Sequence, residues 1–118
     1  MSSLSEWYFV TFDSSQVHRR VQPPGGDQWE DSFAWSEIIR VCYEPSEDFM
    51  TSDTIYIFTG TRQESYTIPS EANGAQEFWG EILHRGLFDA ETSINISMGR
   101  SGFSCWPPIT EEEISSIE

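Results

Sequence analysis

Apolar and polar residues alternate from Trp7 through Phe9, Val10 and Phe12, the period of a half-buried strand, and the alternation stops at Asp13-Ser14-Ser15. Gln16 to Gln22 resumes it with Val17 and Val21 among His18, Arg19 and Arg20, so the two segments predict a hairpin whose basic residues stand on a solvated strand face. Pro23-Pro24-Gly25-Gly26-Asp27 breaks the ladder, because two fixed φ angles and two glycines cannot continue it. Two further strands are expected, one around Trp29, Phe33 and Trp35 and one over Ile38 to Tyr43, with a bend at Ser36-Glu37. Trp35 at that corner is expected to be buried. Thr54 to Thr59 is dense in β-formers, and Gly60-Thr61-Arg62 turns it into Glu64 to Ile68 as a second hairpin.

The period then changes. Ala75, Phe78, Trp79, Ile82 and Leu83 stand at i, i+3, i+4, i+7 and i+8, which places them on one face of a helix expected from Ser70, its N-cap, to Arg85. Gly86 is expected at the left-handed C′ position, with Leu87 folding back as the hydrophobic contact and His84 favoured by the negative helix end. Asp89 is expected to cap a second, shorter helix to about Met98, stopped by Gly99, with Ala90, Ile94 and Met98 spaced by four, although Thr92, Ile94 and Ile96 also alternate as in a strand. A short last strand, Gly102 to Trp106, closes at Pro107-Pro108; a tail from Ile109 to Glu118 has a capping-box pattern at Thr110 to Glu113 and is expected to form one loosely docked turn.

Strands followed by an amphipathic helix give an α+β fold, a single domain over 1–118 with its core at about 7–108. The run Phe33-Ala34-Trp35-Ser36-Glu37-Ile38-Ile39-Arg40-Val41 resembles the strand corner of bacterial pleckstrin-homology-like domains. Asp53, Pro69, Gly86-Leu87-Phe88-Asp89 and Phe103-Ser104-Cys105-Trp106 extend the likeness to a family of small uncharacterised bacterial proteins of that fold. Phe49-Met50-Thr51-Ser52 stands where that pattern has Gly-Pro. The resemblance implies a PH-like antiparallel β-barrel of about six to seven strands packed by one helix. It implies no activity, since a fold hosts many functions.

Composition narrows the function classes. Asp and Glu number 20 against six cations, all arginine, for a formal net charge of −14. Glu6 and Asp13 balance Arg19 and Arg20 in residues 1–26, so the excess lies in the rest of the chain. Such a charge repels phosphate backbones and anionic lipid, which argues against nucleic acid and membrane as partners. The N-terminus lacks the basic and apolar regions of a secretory leader, and a cytoplasmic protein is expected. Cys42 and Cys105 are far apart, without metal-ligand or redox-motif spacing, and are read as two packed free thiols.

Candidate chemistry is sparse. His18 and His84 have surface and capping readings, and no phosphate loop, nucleophile elbow or metalloprotease motif occurs, so no catalytic residue, metal or cofactor is expected. Glu44, Glu47, Asp48 and Asp53 fall in or beside one loop without the ligand order of a calcium loop. These four are the candidate contacts for a basic protein partner, through a field that steers association. Five tryptophans exceed what so small a core usually hides, so an exposed one is expected. The resulting expectation is a non-enzymatic interaction module that binds a protein partner or itself. The alternative is an acidic immunity or inhibitor-type protein that neutralises a basic toxin such as a nuclease.

Overall fold

The computed structural model describes residues 4–46 and 52–108. Within them the chain is α+β, with seven strands in two antiparallel sheets and two helices. β1 (Tyr8–Phe12), β2 (Gln16–Val21) and β3 (Trp29–Ala34) form the first sheet in that order. Asp13 makes the first hairpin turn: its Oδ1 accepts the Ser15 and Gln16 N–H groups, both at 2.8 Å. The chain then bends through a single 3-10 turn at Trp35–Glu37 into β4 (Ile38–Glu44), at the corner expected from sequence. β5 (Thr54–Thr59), β6 (Tyr66–Pro69) and β7 (Ser104–Trp106) complete the second sheet, ordered β6-β5-β4-β7.

The inner faces of both sheets meet in one core that includes Val10, Val17, Phe33, Val41, Ile55, Ile57 and Ile68. Phe33 and Tyr66 stack across the sheets with ring centroids 4.4 Å apart. Trp35 is buried, as expected; its indole N–H donates to the Asp13 carbonyl at 2.9 Å and its ring lies edge-on to Phe12 and against Phe78. The bulge between Ile38 and Arg40 leaves Ile39 outside the ladder, 61% exposed, while Ile38 still reaches the core.

Helix α1 (Ala75–His84) buries Ala75, Phe78 and Ile82 completely and half-buries Trp79 and Leu83, the face the spacing predicts. It touches both sheets, Phe78 against Phe12 and Trp79 against Tyr43. Its start departs from the expectation of Ser70 as N-cap: the N-cap is Gly74, four residues later, because Asn73 is held as a strand partner on the edge of β1. The Asn73 N–H donates to the Tyr8 carbonyl and the Val10 N–H to the Asn73 carbonyl, both at 2.8 Å. Gly74 follows at φ +89°, where an added Cβ would lie 2.1 Å from the Val10 carbonyl oxygen, so only glycine fits. The other end matches expectation, with Gly86 at φ +71° and the Leu87 N–H donating to the Ile82 carbonyl at 3.0 Å.

Helix α2 (Ala90–Ser97) is capped by Asp89, whose Oδ2 accepts from the Thr92 N–H at 3.0 Å and the Thr92 hydroxyl at 2.7 Å. Its buried residue is Ile96. The Ala90, Ile94 and Met98 row faces solvent, because α2 packs on the opposite side of its circumference.

Two readings of side chains are corrected. Cys42 and Cys105, opposite each other on β4 and β7, form a disulfide rather than two free thiols. Sequence separation of 63 residues hid a pairing that the sheet order makes adjacent. Arg19 is not on a solvated face: it points inward from β2 with Val17 and Val21 and is only 6% exposed. Its Nε donates to Asp31 Oδ1 at 2.8 Å, its Nη2 pairs with Asp31 Oδ2, and Nη1 donates at 3.0 Å to both the Tyr8 hydroxyl and the Thr67 carbonyl. The buried cation is therefore compensated at every edge, which a lone charge in a core would require.

Candidate functional site

The acidic candidates separate when placed on the fold. Asp53, just before β5, closes the base of the β4–β5 connection: its Oδ2 accepts the Tyr43 hydroxyl at 2.6 Å and its Oδ1 the Ser46 N–H at 2.7 Å. Burial, and the carboxylate it donates to, push the Tyr43 phenol well above its ordinary value. Glu44 lies at the end of β4, where its Oε1 accepts the Tyr56 hydroxyl at 2.9 Å. That bond raises the Tyr56 phenol, with partial burial adding to it. Glu47 and Asp48 lie outside the described residues. Asp53 opens on a cleft of about 570 Å³ lined by Tyr43, Gln76, Trp79, Ser93 and Ser97, between the strand ends and the two helices. Both described carboxylates thus already serve internal hydrogen bonds.

The outer face of the first sheet holds the densest polar chemistry. Thr11, His18 and Ser32 are cross-strand neighbours, and His18 Nδ1 lies 2.7 Å from Ser32 Oγ while Nε2 lies 3.3 Å from Asp13 Oδ2. The Ser15 and Gln16 N–H groups, with His18, hold the Asp13 carboxyl below the usual carboxylate range. A hydroxyl, an imidazole and a carboxylate in line have the connectivity of an activated nucleophile. The His18 and Asp13 side chains are 40% and 61% exposed, however, so water competes at each atom and the electrostatic gain of a closed site is lost. Sequence reasoning missed this row because it depends on the β2–β3 register, which the long Pro-Gly connection leaves open.

Arg19 is buried, whereas Arg20, Arg62, Arg85 and Arg100 are exposed, and four of the six arginines lie over aromatic rings. Arg19 stacks on Trp29 and Tyr66, Arg20 on Phe9, Arg62 on Tyr66 and Arg85 on Trp35, with guanidinium carbons 3.7 to 5.1 Å from the ring centroids. Arg40 Nε donates to the Pro107 carbonyl at 2.8 Å.

Apolar exposure gathers elsewhere. Trp106, 39% exposed on the outermost strand β7, and bulged Ile39 line a depression of about 150 Å³ with Ile38, Leu87 and Pro107. Trp29 on β3 is 42% exposed, so the expected exposed tryptophan is found twice. No three His, Cys, Asp or Glu side chains among the described residues converge to hold a metal ion, and no helix among them is long and apolar enough to cross a membrane. Comparison with protein-family models, curated proteins and solved structures finds no match for this chain.

Proposed function

We propose that the chain is a cytoplasmic, non-enzymatic interaction module that binds a protein partner or itself through the β7 edge and the apolar depression beside it. One observation carries the reading: two large apolar side chains, Ile39 at the bulge of β4 and Trp106 on the end strand β7, are exposed around one depression, on a molecule otherwise rich in acidic charge. Large apolar groups at a strand edge are what a partner needs for burial and for backbone pairing at once. The two antiparallel sheets, the turn at Trp35 and a helix touching both sheets support a PH-like barrel as the scaffold. An acidic inhibitor of a basic toxin is the second reading, favoured by the formal charge of −14; it works through long-range attraction.

Affinity capture from the native host with wild-type and Ile39→Glu baits tests the first reading. A protein retained by the wild type and lost by the variant at unchanged thermal stability supports it. Equal retention by both baits overturns it. Retention that survives Ile39→Glu and collapses at about 0.5 M salt favours the electrostatic reading.

A further inference from the structure

We propose that β7 is an exchangeable strand: when the Cys42–Cys105 bond is reduced, β7 leaves β4, and the vacated β4 edge takes β7 from a second copy of this chain. The proposal rests on the interaction reading and names the partner for its self-binding form. β7 pairs with β4 alone, through Val41↔Trp106, Cys42↔Cys105 and Tyr43↔Ser104. None of its three residues belongs to the buried core cluster. The connection from α2 runs through Gly99, Arg100 and Gly102, all exposed. Besides the short ladder, tethers among the described residues include the disulfide, the Arg40 bonds to the Pro107 and Pro108 carbonyls, and an edge contact of Phe103 with Tyr56. Removing the covalent tether therefore leaves a three-residue strand none of whose side chains is fully buried.

The occupant follows from the edge itself. β7 is a strand whose cysteine meets Cys42 and whose flanking residues match Val41 and Tyr43, and every copy supplies one. Charge favours it as well: residues 92–108 contain no Asp or Glu and include Arg100, so this is a stretch of an acidic chain that approaches another copy without like-charge repulsion of its own. The redox step is a thiol–disulfide exchange. A dithiol breaks the Cys42–Cys105 S–S bond, two S–H groups form, and the dithiol closes to its own disulfide; a disulfide reagent reverses this within or between copies. In a reducing compartment the open form is the expected one.

The experiment mixes Cys42→Ser and Cys105→Ser chains, each with one thiol, at about 0.5 M salt to screen the net charge, and adds a small-molecule disulfide reagent. Peptide mapping of the products reads which cysteines are joined. In parallel, reduced wild type is alkylated while amide hydrogen exchange follows the first sheet and α1. Expected are a heterodimer joined through Cys42 and Cys105, in several-fold excess over either variant's homodimer, and alkylation of Cys42, which is 1% exposed in the oxidised form, with the first sheet and α1 still protected. Three results overturn the proposal: Cys42 that stays unmodified after reduction, no excess of the mixed dimer, or loss of protection throughout the chain. A host protein captured by the oxidised wild type in any of these cases leaves the broader interaction reading standing.

Discussion

The two sheets solve the problem of a solvated face differently. In the first sheet, inner Val10, Val17 and Phe33 back onto outer Thr11, His18, Arg20 and Ser32, so one face is apolar and the other wet. In the second, inner Val41, Ile55 and Ile57 back onto outer Cys42, Tyr56 and Phe58, which are buried or half-buried. Phe103 lies against Tyr56 on that outer side, and Cys105 is bonded to Cys42 there. A sheet with one apolar face stands alone against water. The second sheet thus carries apolar groups on its outer side as well, among the exposed Glu44 and Thr67, and the short segment leading into β7 meets two of them, Phe103 at Tyr56 and Cys105 through its bond to Cys42.

The largest test of this contrast is reduction of that bond. Its loop of 63 residues gives a chain-entropy stabilisation of about 4 kcal/mol. A Cys42→Ala/Cys105→Ala protein should lose a comparable amount in urea titrations, and a loss below about 1 kcal/mol would mean that the segment is held by packing alone.

The first sheet keeps its one irregularity inside. Burial opposes the charge on Arg19, but the hydrogen bonds with Asp31 and the Tyr8 oxygen outweigh it and hold the guanidinium above its ordinary value. Asp31→Ala leaves that cation without its carboxylate and should cost about 2 to 3 kcal/mol, less than a fully buried pair because the Asp31 side chain is 29% exposed. Arg19→Met/Asp31→Ala should recover part of the loss. If the double variant is no more stable than the single one, the uncompensated charge is not the cause.

Outer-face truncations compare the sheets directly. Phe58→Ser on the second sheet should cost about 1 to 2 kcal/mol, as expected for a half-buried aromatic, whereas Thr11→Ser on the first should stay within about 0.5 kcal/mol. Equal costs would erase the distinction between a covered and a wet face.

The smallest effect is a pH dependence in the first hairpin. Asp13 is held below its usual value by the Ser15 and Gln16 N–H groups and His18, so its contribution is present above the unfolded-state pKa and is lost as pH falls through the lower folded-state value. Wild type should exceed Asp13→Asn in urea midpoint at neutral pH, and the gap should close between about pH 5 and pH 2. A gap independent of pH would assign the turn's stability to geometry rather than charge.

How much of this was legible in the sequence depended on local period. The first hairpin, the corner at Trp35, the buried face of α1 and the Asp89 cap follow from spacing and turn chemistry within a few residues of each other. The start of α1 did not, because Asn73 is claimed by the edge of β1, which lies far upstream. That Asp53 and Glu44 each accept a tyrosine hydroxyl is not legible in the acidic loop itself, because only the β4–β5 pairing brings those tyrosines near. Glu47, Asp48 and the tail from Ile109 lie outside the described residues.

The sequence by itself determined the α+β class, the strand-rich first part followed by an amphipathic helix, and a strongly negative surface, because these depend on neighbours along the chain and on summed charge. Tertiary structure decided that Arg19 is interior, that Cys42 meets Cys105, that Ile39 and Trp106 share one depression, and that His18 joins Asp13 to Ser32. Each of those depends on strand register and sheet order. A register shift of one residue exchanges the two faces of a strand, so hydrophobic burial selects the register only once both sheets close on a common core.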